Sequence, residues 1–120
     1  MSDITVENIR DWQDHDVVDT GGDKIGSLES VYFDTATDAP TFAAVQIGIP
    51  GRRRLVFAPL IGAVVAPKYI KLQADKKTIK NAPSIETDGE LTTEIEAAVF
   101  EHYGLPYSLG AEGERRLGRR

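Results

Sequence analysis

Two adjacent glycines, Gly21 and Gly22, interrupt an otherwise extended stretch, VVDTGGDKIGSLESVYFD at residues 17–34, and constrain this chain more than any other feature. Glycine reaches positive φ without steric cost, so a tight reversal is expected there. Val17 and Val18 open a short run and residues 25–33 form the returning strand, which makes the stretch a β-hairpin. Along that strand Ile25, Leu28, Val31 and Phe33 do not keep a period of two. Gly26 and Ser30 mark places where a bulge would reset the pleat, as in small barrels that bend their strands.

The rest of the chain continues the pattern. DTATDAP at 34–40 is dense in turn formers. A strand over 41–49 puts Ala43, Val45 and Ile47 on one face and Phe42, Ala44 and Gln46 on the other. Both faces are largely apolar, so the strand is expected to be central. Pro50-Gly51 is a turn, and 52–60 resumes as a strand with Leu55 and Phe57 alternating against Val56 and Ala58. Two shorter strands, 63–66 and 69–73, flank Pro67-Lys68. Short strands broken by Gly and Pro indicate a small barrel or sandwich rather than a parallel sheet.

Helices are expected at three places. Thr5 reads as the N-cap of a short one, with Ile4 and Ile9 as a staple and Val6, Ile9 and Trp12 on one stripe, Trp12 being read as a core plug. Asp75 caps a helical turn that Pro83 terminates. In the last helix Thr93 and Glu96 fit a capping box, and Leu91, Ile95, Ala98 and Val99 form the stripe. Gly104 stands where a left-handed C-cap belongs, with Leu105 placed to touch Phe100. The expected organisation is a helical lead-in over 1–15, a barrel with its C-terminal helix over 16–107, and a flexible basic tail over 108–120.

At 120 residues the chain fits one domain. With no cysteine it offers no disulfide, thiolate or zinc-thiolate chemistry, which suits a cytoplasmic setting. Acids stand where a secretory signal would carry bases, so no signal peptide is expected. The longest apolar stretch, 58–67, is about ten residues where a membrane span needs about 20, so no span is expected. The net charge of −5 is segregated. Residues 1–23 hold seven acids and one base, 24–80 hold nine bases and four acids, 81–103 hold six acids and no base, and four arginines close the chain. Acidic flanks over a basic barrel, or contacts between copies, would satisfy this pattern.

Candidate sites are sparse, and catalytic, metal and cofactor sites are expected to be absent. His15 lies between Asp14 and Asp16, but neighbours on an extended segment point apart and do not converge on an ion. His102, in the last turn of its helix, is read as a partner of the helix dipole. Asp34 with Asp38, and Glu86, Asp88 and Glu90, lack the ligand series of a calcium loop and read as solvated turns. The glycines of GGDKIG lie between strands and form no phosphate cradle. Arg52, Arg53 and Arg54 are the candidate partner- or anion-binding residues, supported by Arg115, Arg116, Arg119 and Arg120 in the tail. A sequence pI near 5.0 and the lack of an aromatic stacking row weigh against a dedicated nucleic-acid binder.

The ordered series of the hairpin, RLVFAPL, YIKLQADKKTIKNAPSI and ELTTEIEAAVFEHYGLPY resembles the PRC-barrel family, and most closely its stand-alone bacterial members. The resemblance runs from about Trp12 to Tyr107 and is carried by Gly22-Asp23-Lys24-Ile25-Gly26, Phe57-Ala58-Pro59-Leu60, Lys80-Asn81-Ala82-Pro83 and Tyr103-Gly104-Leu105. It implies a small antiparallel β-barrel of about six strands, used as an adaptor or assembly module without one shared reaction. Neither the membrane-spanning helix of the reaction-centre H subunit nor the extra N-terminal domain of the ribosome maturation factor is expected here, so neither specific activity is carried over. The expected function is a non-enzymatic interaction module that self-associates or docks a protein partner, with peripheral contact to a membrane complex allowed. The alternative is an RNA- or ribosome-associated factor working through Arg52, Arg53, Arg54 and the basic tail.

Overall fold

The computed structural model describes residues 15–35, 37, 39–87, 89–105 and 117–119. Its strands are β1 (Asp16–Val18), β2 (Lys24–Asp34), β3 (Pro40–Ile47), β4 (Arg54–Pro59), β5 (Val64–Val65), β6 (Tyr69–Lys71), β7 (Ser84–Glu86) and β8 (Leu117–Arg119). Helix α1 (Lys76–Lys80) separates β6 from β7, and α2 (Thr93–His102) separates β7 from β8. The expected N-terminal helix, with Thr5 and Trp12, lies outside the described residues.

The β1–β2 hairpin forms as the glycines require, though only Gly22 takes a positive φ, of 91°. Asp19 N–H donates to the Asp23 carbonyl at 2.8 Å and Gly22 N–H to the Asp19 carbonyl at 2.9 Å. The irregular spacing on β2 has the expected cause. Leu28 pairs with Val45 and Val31 with Ala43, three residues on β2 against two on β3, because Glu29 is inserted between Leu28 and Ser30. A second irregularity lies at Ile25, between the Val17–Gly26 and Val18–Lys24 pairs. These two insertions keep Ile25, Leu28 and Val31 on one face despite their spacing of three.

The mainly β architecture holds, with three refinements. Eight strands are present among the described residues, in the order β5-β6-β1-β2-β3-β4-β7 with β8 on β2, and the path does not return to its start. The sheet therefore curls like a barrel without closing. β1 and β6 pair in parallel rather than antiparallel fashion, because the β5–β6 hairpin brings the chain back alongside β1 after a long crossover. Finally, residues 117–119 add a strand, β8. Leu117 is buried and β8 pairs with Tyr32, Phe33 and Asp34 of β2, a stretch that β1 leaves open.

β3 is central, as its two apolar faces demand, and the sheet divides two cores. On one face Ala43, Val45 and Ile47 join Val17, Leu28, Val31, Val56, Ala58 and Ile70, and α1 covers them with Ile79. On the other, Phe42 and Ala44 join Tyr32, Leu55, Phe57, Ile85 and Leu117 under Leu91, Val99 and Phe100 of the α2 segment. Phe42 sits 5.1 Å from Phe100 and Tyr32 meets Phe57 edge-on at 5.2 Å, geometries that favour ring pairs.

Both helix termini follow from local sequence. Asp75 accepts from Thr78 N–H at 2.7 Å to start α1. The cap of α2 is Thr92 rather than Thr93; its hydroxyl accepts from Ile95 N–H at 3.3 Å. At the C-terminus Gly104 has φ of 68°, its N–H donates to Glu101, and Leu105 N–H donates to Phe100 at 2.9 Å, a Schellman motif with the expected Leu105–Phe100 contact.

Candidate functional site

The β3–β4 turn is built by Pro50 and Gly51. Gly51 has φ of 85° and Arg52 N–H donates to the Ile49 carbonyl at 2.9 Å, a type II turn. Gly48, with φ of 103°, precedes it, and a β-carbon there would run into the Arg52 carbonyl oxygen. The turn lifts Arg52 and Arg53 off the sheet, and Arg54 begins β4.

The three arginines are exposed but do not act alike. The Arg54 guanidinium is folded back along the sheet, donating to the Lys80 carbonyl at 3.1 Å at the end of α1 and reaching Ser84 Oγ at 3.5 Å on β7. No described residue makes a side-chain hydrogen bond or ion pair with Arg52 or Arg53. Arg53 and Arg54 line one groove of about 460 Å³ with Ser84, Ile85, Glu86, Glu90 and Ile95. Arg53 also borders a groove of about 330 Å³ between β2 and β3, beside Lys24, Gly26 and Gly48. The first groove thus carries both charge signs and two isoleucines.

The histidines are structural contacts in this fold. His15 Nε2 is 3.0 Å from the Pro67 carbonyl, tying β1 to the β5–β6 turn. His102 Nε2 is 2.7 Å from the Thr78 carbonyl, so it joins α2 to α1 rather than merely facing the helix dipole. A carbonyl only accepts, so each Nε2 carries the proton. Asp14, Asp38 and Asp88 lie outside the described residues. Asp34 Oδ1 accepts from Thr37 N–H at 3.4 Å within its own turn. No group of three or more metal-ligating side chains converges among the described residues, and no described helix is long and apolar enough to cross a membrane.

One constellation escapes a reading of the sequence. Asp19, buried at the hairpin, accepts from Gly21 and Asp23 N–H through Oδ1 and from Lys76 N–H through Oδ2, each at 2.9 Å. Those amides, Asp23 first and Lys76 next, hold its carboxyl below the ordinary carboxylate value. The pattern Asp-Thr-Gly-Gly is a legible Asx-turn signal, but the link to Lys76, 57 residues on, is not. Asp75 is lowered too, chiefly by the Thr78 hydroxyl and then its N–H, with the Asp19 charge opposing. Tyr103 donates to the Phe57 carbonyl at 2.7 Å, and burial raises its phenol well above its ordinary value. Asp19 and Tyr103 thus fasten α1 to the hairpin and the end of α2 to β4.

Fold and surface together define a small, barrel-like β-domain with two helices packed on one curled sheet and a groove at its β7 end. A family profile, the PRC-barrel domain, matches residues 4–79, and the chain belongs to that family. The matched span runs through the hairpin to α1 and stops before β7, α2 and β8, so it is shorter at its C-terminal end than the resemblance drawn to Tyr107. No curated protein matches the chain.

Proposed function

We propose that this chain is a non-enzymatic interaction module, which self-associates or docks a protein partner through a strand edge of its barrel. The observation that carries this reading is the use made of its side chains. Apolar residues on both faces of β2, β3 and β4 are consumed in two cores, the histidines and Asp19 are consumed in fastening elements together, and among the described residues β5, β7 and β8 still have one neighbouring strand each. Membership of a family of interaction modules supports it. The lack of cysteine fits a reducing compartment, the cytoplasm.

An RNA-binding role for Arg52, Arg53 and Arg54 ranks below. Arg54 is engaged by Lys80 and Ser84, and Glu86 and Glu90 line the same groove, which weakens attraction for a phosphate chain. Light scattering over a range of concentrations, together with pull-down, tests the leading reading. The expected result is an assembly or a stoichiometric protein complex; a chain that stays monomeric and captures nothing overturns it.

A further inference from the structure

We propose that two copies of this chain join through their β7 edges, in a two-fold arrangement that carries the sheet from one copy into the other. The inference rests on the reading just given and names the partner as a second copy.

β7 is the last strand on the sheet path, and no described strand lies beyond it. The groove of about 460 Å³ beside it is lined by Ile85, which belongs to the second core, and by Ser84 and Glu86, which alternate to the other face. Arg53 and Arg54 from the β4 side and Gly89, Glu90 and Ile95 beyond β7 complete its lining, at the end of the sheet. Such an edge is a template for another strand.

Its charges fit a copy of itself. In the ladder Arg54 stands opposite Glu86, yet its guanidinium leans toward Ser84 and Lys80, and the Glu86 carboxylate takes no ion pair from a described residue. A two-fold antiparallel pairing centred on Ile85 sets Ser84 opposite the partner's Glu86, with β-carbons about 5 Å apart. Because Arg54 Nη1 already lies 3.5 Å from Ser84 Oγ, the cation is in place over the position the partner's Glu86 would face. The symmetry makes this pair twice. It also uses up the β7 edge of both copies, so growth through that edge stops at two. β7 lies beyond residues 4–79, so the strand at this edge belongs to the part of the chain outside the family match, while Arg54 lies within it.

The test is charge exchange read by light scattering, with circular dichroism as the control for folding. The unaltered chain is expected at twice the 13.1 kDa of one copy, with the dimer fraction falling as salt is added. Arg54→Glu and Glu86→Arg are each expected to give single-chain mass, since like charges then face each other across the two-fold. Mixing the two variants is expected to restore the dimer, because both pairs across the interface are opposite in sign again while the pairs within each chain stay repulsive. Glu86→Arg breaks no side-chain hydrogen bond or ion pair with a described residue of its own chain and decides the matter if Arg54→Glu misfolds. A single-chain mass for the unaltered protein, dimers that survive both variants, or a mixture that stays monomeric would each overturn the proposal. Survival of the dimer would leave the interaction-module reading intact with another face responsible, as would a monomer that forms a stoichiometric complex with a different protein.

Discussion

Among single residues, Asp19 carries the clearest pH signature. Its folded pKa is depressed, so the stability it contributes is present above the unfolded value of about 3.9 and is lost as pH falls through the folded value. Asp19→Asn keeps an acceptor but no charge. It is expected to lower the urea midpoint at pH 7, with the gap to the unaltered protein narrowing as the pH falls below about 3.9; an unchanged gap would contradict the assignment. Tyr103→Phe removes the hydrogen bond to the Phe57 carbonyl while keeping the ring in place 6.2 Å from Phe42. Chemical denaturation is expected to show a loss of about 1 kcal/mol, the typical worth of such a bond. Gly26 has a different constraint, since a β-carbon there would run into the Gln46 carbonyl oxygen of the neighbouring strand. The pairing of β2 with β3 at this point admits no side chain, so Gly26→Ala is expected to destabilise the hairpin despite being conservative in size.

At the scale of elements, β8 has the most to answer for. It is three residues long, yet Leu117 is 2% exposed within the second core, and a β-carbon on Gly118 would meet the Phe33 ring at 2.7 Å. Leu117→Ala is expected to cost about 2 to 4 kcal/mol by the transfer and cavity terms together. Removing residues 117–120 should also raise hydrogen exchange at the Tyr32–Phe33 end of β2, where β8 lies alongside, while the amides near Ile25, which β1 covers, keep their protection. Equal loss along β2 would mean that β8 is not a separate edge. The two helices are linked to each other as well as to the sheet, through His102 and the Thr78 carbonyl. That contact explains why a five-residue helix too short to persist alone is held in place.

For the whole molecule, one sheet serves two cores. Alternate side chains of β3 and β4 enter opposite cores, so neither core can be lost without losing the strands of the other. Denaturant unfolding is expected as a single transition, with amides of β6 on the first core and of α2 on the second losing global protection together. Separate transitions would show that the cores are independent. The sheet also ends rather than closing, which leaves short edges on a protein whose charges are segregated along the chain. Function on this reading is a property of edges and charge register rather than of a reaction centre.

Local stereochemistry reached the sequence directly. The reversal at Gly22, the turn at Pro50-Gly51, the caps at Asp75 and Gly104, and the double-sided burial of β3 were legible because each depends on residues a few positions apart. So was the family, through the order of those same pieces. What needed the folded chain was everything set by partners distant in sequence. Asp19 finds Lys76, Arg54 finds Lys80 and Ser84, β1 finds β6, and Leu117 in a polar tail finds the open half of β2. A three-residue strand such as β7 or β8 has too few side chains to show a period, and its stability comes from the edge it meets. Tertiary packing therefore decided where the sheet stops, and with it which surface is left to recognise another molecule.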